Sequence, residues 1–225
     1  RLEEPQRVEP AISMLDGGSW SQPMVWGDPY YRKPPLANWL IAVAFWCAGG
    51  VSEFAARLPS VLLVLALALA ARWTACAWAG RGPALGAAIV ILSCSALLDK
   101  GRLCEIEGGY TALSGIAILV WLQGWATGRL SPGRWVVIGL LLGAGVLAKG
   151  PPHLLFFYGL ILVLTVSDGR CRELFKLSHV AGVLCLAALV VAWLWSAREG
   201  LMQARGTWAS ELLGRFAGGG GPVKW

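Results

Sequence analysis

The sequence predicts an all-α fold, a polytopic transmembrane helical bundle, and three observations support it. Apolar residues make up 56% of the chain and charged residues only 14%, whereas a soluble domain normally carries about 25% charged residues. The mean hydropathy is +0.61. The few charges are clustered, and the apolar stretches between the clusters approach the roughly 20 residues that a helix needs to span a bilayer.

Seven apolar runs follow one another along the chain. They occupy residues 36–49, 58–78, 83–98, 109–126, 135–150, 151–167 and 178–197. The shortest, 36–49, is rich in Trp and Phe and follows Pro34-Pro35, which favours a helix lying at the membrane interface or dipping into it. A full crossing by this run is the alternative. Pro151-Pro152 marks a turn between two runs, because proline cannot continue the preceding helix.

The distribution of charge favours six crossings, with the run 36–49 left out of the count. One face then holds three short loops that are dense in Lys and Arg, and the positive-inside rule makes that face cytoplasmic. Its basic residues are Arg72, Arg81, Arg129, Arg134, Arg170, Arg172 and Lys176. Eleven of the thirteen acidic residues fall on the opposite, outer face, and only Asp168 and Glu173 do not. This segregation would weaken if 36–49 crossed.

The predicted organisation therefore has three parts. Residues 1–57 form an outer loop with juxtamembrane helices, residues 58–197 form six transmembrane helices with short loops, and residues 198–225 begin a further outer loop. The chain opens at Arg1 without a methionine or an apolar anchor and stops at Trp225 within a Gly-rich stretch, so we expect an internal fragment of a longer protein.

Two classes of site are excluded by composition and spacing. The net charge of +6 does not indicate nucleic-acid binding, because the basic residues sit in short loops between apolar runs rather than on a soluble basic patch. The six cysteines are scattered without a CxxC pair, and the two histidines, His153 and His179, are isolated. A disulfide framework and a Cys/His zinc site are therefore not expected.

Two acidic clusters and two lysines share the predicted outer face. The clusters lie in the segments EEPQRVE, residues 3–9, and DKGRLCEIE, residues 99–107. Carboxylates beside an apolar wall can act as general bases for an acceptor hydroxyl or amine. Lys33 and Lys149 each precede a rigid Pro-containing turn, which suits contact with a lipid phosphate. The alternatives are acids that merely pair with neighbouring Arg and Lys, and lysines that snorkel at helix ends.

Six motifs in order give the chain a resemblance to a known family. They are EEPQRVEPAISMLDGGSW, GDPYYRKPPLANW, FAARLPS, GRLCEIEGGY, LAKGP and ELLGRF. Together they resemble the N-terminal half of GT-C fold glycosyltransferases that use polyprenyl-phosphate sugars, the aminoarabinose (lipid A) transferase and protein O-mannosyltransferase-like enzymes. The resemblance implies a multi-pass protein of the bacterial inner membrane with its active site facing the periplasm.

The resemblance also implies roles for individual residues. The acidic pair falls on Glu3 and Glu4, with the first acid as the expected catalytic base. A second acidic motif falls on Arg102 and Glu107, with Glu105 beside it in the same loop. The lysines expected near the phosphate of the lipid carrier fall on Lys33 and Lys149, and Arg32 precedes the first of them.

This sequence departs from the family pattern at positions that bear on chemistry. Both principal acids are Glu where the family has Asp. Some relatives bind a metal through an acid before the KP lysine and a His near the last motif, but those positions are Arg32 and Leu212 here. The usual ligand positions for a divalent metal are therefore unmatched at that place, and we expect Arg32 to supply positive charge there instead. A divalent metal bound elsewhere stays open.

The expected function is transfer of a sugar from a polyprenyl-phosphate donor to a lipid A, glycan or protein acceptor. The expected partners are that donor, the acceptor and membrane lipids, without nucleic acid. A transporter or flippase for a lipid-linked or anionic substrate is the rival class, and it would favour ionisable residues at mid-span. The six runs predicted to cross carry no charge at their centres. Trp20 and Trp26, in the outer loop, are the tryptophans best placed to contact a sugar.

Overall fold

The computed structural model describes residues 4–30 and 33–198, and these residues are almost all helical. The helices are α1 (Pro5–Leu15), α2 (Leu36–Ala48), α3 (Glu53–Ala79), α4 (Arg81–Ser93), α5 (Ser95–Gly101), α6 (Ile106–Ala126), α7 (Pro132–Lys149), α8 (Pro152–Ser167) and α9 (Leu177–Ser196). A two-residue hairpin, β1 (Met24–Val25) and β2 (Asp28–Pro29), follows α1, and a short 3₁₀ helix (Cys171–Phe175) precedes α9. The predicted all-α class is confirmed.

The two helices nearest the N-terminus are short. Helix α1 begins at Pro5, whose fixed φ suits a first helical turn. Helix α2 has 13 residues and ends at Gly49 in a left-handed conformation. At 1.5 Å per residue α2 is about 20 Å long, shorter than the roughly 30 Å hydrocarbon layer. Its interfacial placement stays a prediction.

Helix α3 begins five residues earlier than the apolar run 58–78 indicates. The Ser52 hydroxyl accepts a hydrogen bond from the Ala55 backbone N–H at 3.2 Å, and Glu53 lies in the first turn, where the helix dipole favours a negative charge. These capping residues extend the helix through a segment that hydropathy alone assigns to a polar break. Arg57 is consequently held on a helix rather than in a loop.

The apolar run 83–98 is divided, contrary to the single helix that we expected there. Helices α4 and α5 meet at Cys94 with a bend of 59°. Cys94 has an extended backbone (φ −63°, ψ 114°), and its N–H bonds back only three residues to Ile91. This interrupts the i to i−4 ladder on which a straight helix depends.

Three helices in the described part of the chain, α3, α7 and α9, are long and apolar enough to cross a membrane. The bent pair α4 and α5 would make a fourth if it counts as one span. Helix α8 is shorter at 16 residues, and α6 is long enough at 21 residues but less apolar. The six-crossing topology therefore stays a prediction.

Two packed regions hold the helices together. Helix α7 packs closely along α9, and α3 lies between α4 and α6. The core of the bundle is built around Trp121, Trp135 and Phe157, which are almost fully buried. A second cluster, including Ala11, Phe45 and Ala55, fastens α1 and α2 onto the first turns of α3. This second cluster and the adjoining ends of the longer helices form one layer of the structure. The predicted site residues that the structure describes lie in this layer.

Candidate functional site

The two predicted acidic segments and Lys149 meet where α1 and α2 cover the ends of the longer helices. A small apolar cavity of about 30 Å³ lies at this junction. Its walls come from α2, α3, α6 and the last turn of α7, and its polar margin contains Arg7, Glu105 and Tyr110. Residues 4–9 and 99–107 of the two acidic segments are therefore brought to one place, where the Cys104 backbone N–H meets the Glu4 carboxylate.

Glu4 is the best-fixed carboxylate of the layer. Arg57 donates two hydrogen bonds to it, Nε to Oε1 at 3.0 Å and Nη2 to Oε2 at 3.2 Å. The backbone N–H of Cys104 donates a third to Oε1 at 3.0 Å. The Arg57 bonds lower the pKa of Glu4, against the opposing effect of burial, and the Cys104 bond lowers it further. Glu4 is therefore a weak base, and its hydrogen bonds hold the start of α1 against Arg57 of α3 and the backbone at Cys104.

Arg7 lies one turn further along α1 and is buried, with 6% of its surface exposed. One terminal nitrogen donates to the Tyr30 hydroxyl at 3.1 Å, and the Arg7 carbonyl accepts from the buried Asn38 side chain at 3.1 Å. Its Nε atom has no hydrogen-bond partner in the described structure. Arg7 thus places a positive charge at the margin of an otherwise apolar cavity.

The second acidic segment splits into two ion pairs. Glu105, whose side chain is 5% exposed, accepts from Lys100 Nζ at 2.7 Å, and its backbone carbonyl accepts from Ser60. Arg102 and Asp99 lie 3.6 Å apart and are both exposed. Between these pairs, burial raises the pKa of the Cys104 thiol to about 12, because the thiolate is poorly solvated there.

Glu107 and Lys149 join α6 to the end of α7. Lys149 Nζ lies 3.0 Å from Glu107 Oε1 and 5.6 Å from the centre of the Tyr110 ring. Both side chains of the pair are about one-third exposed. A lysine ammonium has three N–H donors, of which Glu107 occupies one, so Lys149 can still meet an anionic ligand.

The structure thus places Glu4, Glu105, Glu107, Arg102 and Lys149 in one layer. Glu3, Arg32 and Leu212 lie outside the described residues.

The remaining predicted residues lie nearer the surface. Lys33 has an interaction partner and lies immediately before the buried Pro34 and Pro35. Trp20 and Trp26 are exposed in the segment between α1 and α2. Within the described ranges, no three His, Cys, Asp or Glu residues are grouped to hold a metal ion.

Three residues of the layer carry roles that sequence reasoning did not assign. Arg57 holds Glu4, Arg7 lines the cavity, and Tyr110 lies beneath Lys149. Each belongs to a motif that was recognised, FAARLPS, EEPQRVE or GRLCEIEGGY. The motifs therefore indicated that these residues belong to the site, although the motifs could not indicate which residues they contact.

Comparison with known proteins decides the family. The model of the dolichyl-phosphate-mannose-protein mannosyltransferase family matches residues 32–195. The chain belongs to this family. Among its relatives is the undecaprenyl phosphate-alpha-4-amino-4-deoxy-L-arabinose arabinosyl transferase of Erwinia tasmaniensis, 28% identical over 193 residues, which are 84% of this chain and 34% of the relative. The same-named protein of Pseudomonas aeruginosa strain UCBPP-PA14 is 28% identical over 96% of this chain and 40% of its own length.

Solved structures of ArnT from Cupriavidus metallidurans share the fold of this mannosyltransferase family member. The apo structure aligns with a TM-score of 0.77 at 20% identity, and the structure bound to undecaprenyl phosphate aligns with 0.72 at 22%. Each alignment covers 85% of this chain and 36% of the solved one. The resemblance drawn from the six motifs is confirmed, and so is the expected fold. The chain spans between about a third and two-fifths of the curated relatives' length.

Proposed function

We propose that this chain is the N-terminal part of a membrane glycosyltransferase that moves a sugar from a polyprenyl-phosphate donor to an acceptor. The observation that carries the proposal is the family match over residues 32–195. The relatives named as undecaprenyl phosphate-aminoarabinose transferases support a lipid-phosphate donor, and so does the solved relative bound to undecaprenyl phosphate. Lipid A, another glycan or a protein is the proposed acceptor class.

The proposed site lies on the outer, periplasmic side of the bacterial inner membrane. The charge asymmetry of the loops supports this orientation. Lys149, Lys33, Arg32 and Arg102 are the proposed contacts of the donor phosphate.

The proposed reaction is a displacement at the anomeric carbon. The acceptor oxygen or nitrogen forms a bond to that carbon while the carbon–oxygen bond to the phosphate breaks. The electron pair leaves with the phosphate, and the acceptor proton passes to a carboxylate. Fixed cations stabilise the charge that develops on the phosphate, which lowers the barrier.

Among the acids, Glu3 is the proposed base. Its neighbour Glu4 is committed to Arg57 and Cys104, and its lowered pKa makes it a poor proton acceptor. Glu105 is nearly buried and paired with Lys100, which leaves it little access to an acceptor. Glu107 is more exposed, and we propose that it orients Lys149 or the acceptor.

The proposal is tested by following labelled sugar from an undecaprenyl-phosphate donor to endogenous acceptors in membranes of cells that express the protein. We expect transfer by the wild type and its loss in Glu3→Gln. Asp16→Asn, which removes an exposed carboxylate at the end of α1, is the matched control and should retain transfer. Absence of transfer together with flux of the lipid-linked substrate across liposomes would support the rival transporter class instead.

A further inference from the structure

The turn that follows α7 carries Lys149, whose ammonium is also paired with Glu107 at 3.0 Å. Lys149 is the last residue of α7, Gly150 has a φ of +107°, and α8 begins at Pro152. The turn contains no long side chain of its own that could fix it. The position of Lys149 therefore depends on contacts that reach the turn from neighbouring helices.

Tyr110 of α6 makes one such contact. Its hydroxyl accepts a hydrogen bond from the His153 backbone N–H at 2.8 Å. That N–H lies in the first turn of α8, where no preceding helical carbonyl is available to it. The face of the same Tyr110 ring lies 5.6 Å from Lys149 Nζ. A single side chain thus holds the start of α8 and supports the lysine.

The His153 side chain makes the second contact. It is buried, with 3% of its surface exposed, and its ring lies edge-on to Tyr110 with centroids 5.1 Å apart. Nδ1 lies 3.2 Å from the Gly150 carbonyl oxygen, and Nε2 lies 2.9 Å from that of Leu142. The imidazole therefore bridges the turn and the body of α7.

The space for this ring is provided by a glycine. A Cβ atom at Gly145 would come within 2.6 Å of His153 Nε2, so a side chain at that position would displace the ring. The imidazole is enclosed by α6, α7 and the turn. Its position is fixed by this packing and by the single N–H of the neutral ring, which can donate to one of the two carbonyl oxygens. No part of the proposed chemistry requires a histidine at this buried position.

Building on the proposed function, we infer that Tyr110 and His153 are positioning residues for Lys149, holding its ammonium toward the phosphate of the donor. They fix the turn at both of its ends and leave the lysine few alternative orientations. Preorganised cations lower the barrier because they need no rearrangement as charge develops on the leaving group. Neither residue is assigned contact with the substrate.

The kinetic test uses Tyr110→Phe and His153→Ala in the intact protein. Tyr110→Phe keeps the ring beneath Lys149 and removes only the hydroxyl that holds α8. Loss of one such hydrogen bond should raise the KM for the undecaprenyl-phosphate donor about five- to tenfold, with little change in the acceptor KM. His153→Asn, whose amide can still reach the Gly150 carbonyl, should partly restore the donor KM relative to His153→Ala. Leu155→Ala, an exposed position two residues along α8, is the control.

A double-mutant cycle separates positioning from general damage to the fold. In a Lys149→Ala background, the Tyr110 and His153 substitutions should have little further effect on the donor KM, because the residue through which they act is gone. Full additivity with Lys149→Ala would overturn the inference. Equal increases of the donor and acceptor KM would also overturn it.

Labelling gives a readout that does not depend on activity. The rate at which an amine-reactive reagent modifies Lys149, relative to the distant Lys176, should rise in both variants as the ammonium becomes mobile. An unchanged relative rate would overturn the positioning of Lys149. If the wild type transfers no sugar, the proposed function fails, and the labelling result still decides whether Tyr110 and His153 fix this lysine.

Discussion

Arg57 donates hydrogen bonds to both carboxylate oxygens of Glu4, at 3.0 and 3.2 Å, and so joins the start of α1 to the first turns of α3. Bidentate pairs of this kind are geometrically specific as well as strong. Because Glu4 also accepts the Cys104 N–H, a single side chain holds three segments that are far apart in the sequence. The predicted catalytic layer depends on this junction.

Replacing Glu4 should loosen the junction in a pH-dependent manner. The pKa of Glu4 in the folded protein is lowered from 4.5, so the stability that its ionised form contributes is present above about pH 4.5. That contribution is lost as the pH falls through the folded-state pKa. We expect Glu4→Gln to lower the Tm of the detergent-solubilised protein by about 2–4 °C at neutral pH.

The Tm difference between wild type and Glu4→Gln should shrink as the pH falls below 4.5, where the carboxyl of the unfolded chain takes up a proton, and should vanish below the lower pKa of the folded protein. Asp16→Asn provides a control at an exposed carboxylate of the same helix. A difference that stayed constant down to pH 3 would show that the ionised pair does not stabilise the junction.

Because α7 and α9 approach each other closely, adding a single methyl group between them should lower the stability of the protein. A Cβ atom at Gly182 would lie 2.5 Å from the Trp135 carbonyl oxygen, and backbone atoms cannot move aside cheaply. We expect Gly182→Ala to destabilise the protein by about 1–3 kcal/mol. Gly159→Ala, in α8, meets no atom within 4 Å and should be neutral or stabilising by up to about 1 kcal/mol. Thermal unfolding in detergent compares the two, and equal Tm values would contradict the packing argument.

Donor binding provides a third prediction, for Lys149 itself. Removing a cation from the proposed phosphate contact should weaken binding of undecaprenyl phosphate to the purified protein about tenfold, by roughly 1.4 kcal/mol. Lys149→Ala should show this loss, whereas Lys176→Ala, which removes an exposed lysine paired with Glu173 on the predicted cytoplasmic face, should not. Equal affinities for wild type and Lys149→Ala in a lipid-binding titration would remove Lys149 from the proposed site.

Membrane orientation is checked by cysteine labelling in a background without the native cysteines. Gly50→Cys and Gly133→Cys introduce thiols where a Cβ atom meets nothing within 4 Å, at predicted opposite faces. A membrane-impermeant maleimide should label Gly50→Cys in cells with a permeabilised outer membrane and Gly133→Cys only after lysis. The reverse pattern would invert the topology.

A third cysteine decides whether α2 crosses the membrane. Ser19 is exposed in the loop between α1 and the hairpin. If α2 lies at the interface, Ser19→Cys and Gly50→Cys should be labelled under the same conditions. Labelling on opposite sides would show that α2 spans the bilayer and would move the N-terminal segment to the cytoplasmic face.

Hydropathy and the breaks at Gly and Pro predicted most of the helices and their limits, because both are properties of local segments. This pattern placed the turn at Pro151-Pro152 and the short helix near residues 36–49. It did not locate the bend at Cys94 or the extension of α3 through Glu53, where hydrogen bonds of the backbone and of Ser52 outweigh the hydropathy of the segment.

The polar contacts of the site could be identified only from the packing of the helices. Glu4 and Arg57 are 53 residues apart, Glu4 and Cys104 are 100 apart, and Lys149 and Glu107 are 42 apart. Such pairs arise from the way separate helices pack, and packing depends on side-chain shape across the whole layer rather than on any local pattern. The charge distribution could predict that the acids and lysines share one face. It could not predict that Glu4 has a structural role, distinct from that of the residues proposed for catalysis.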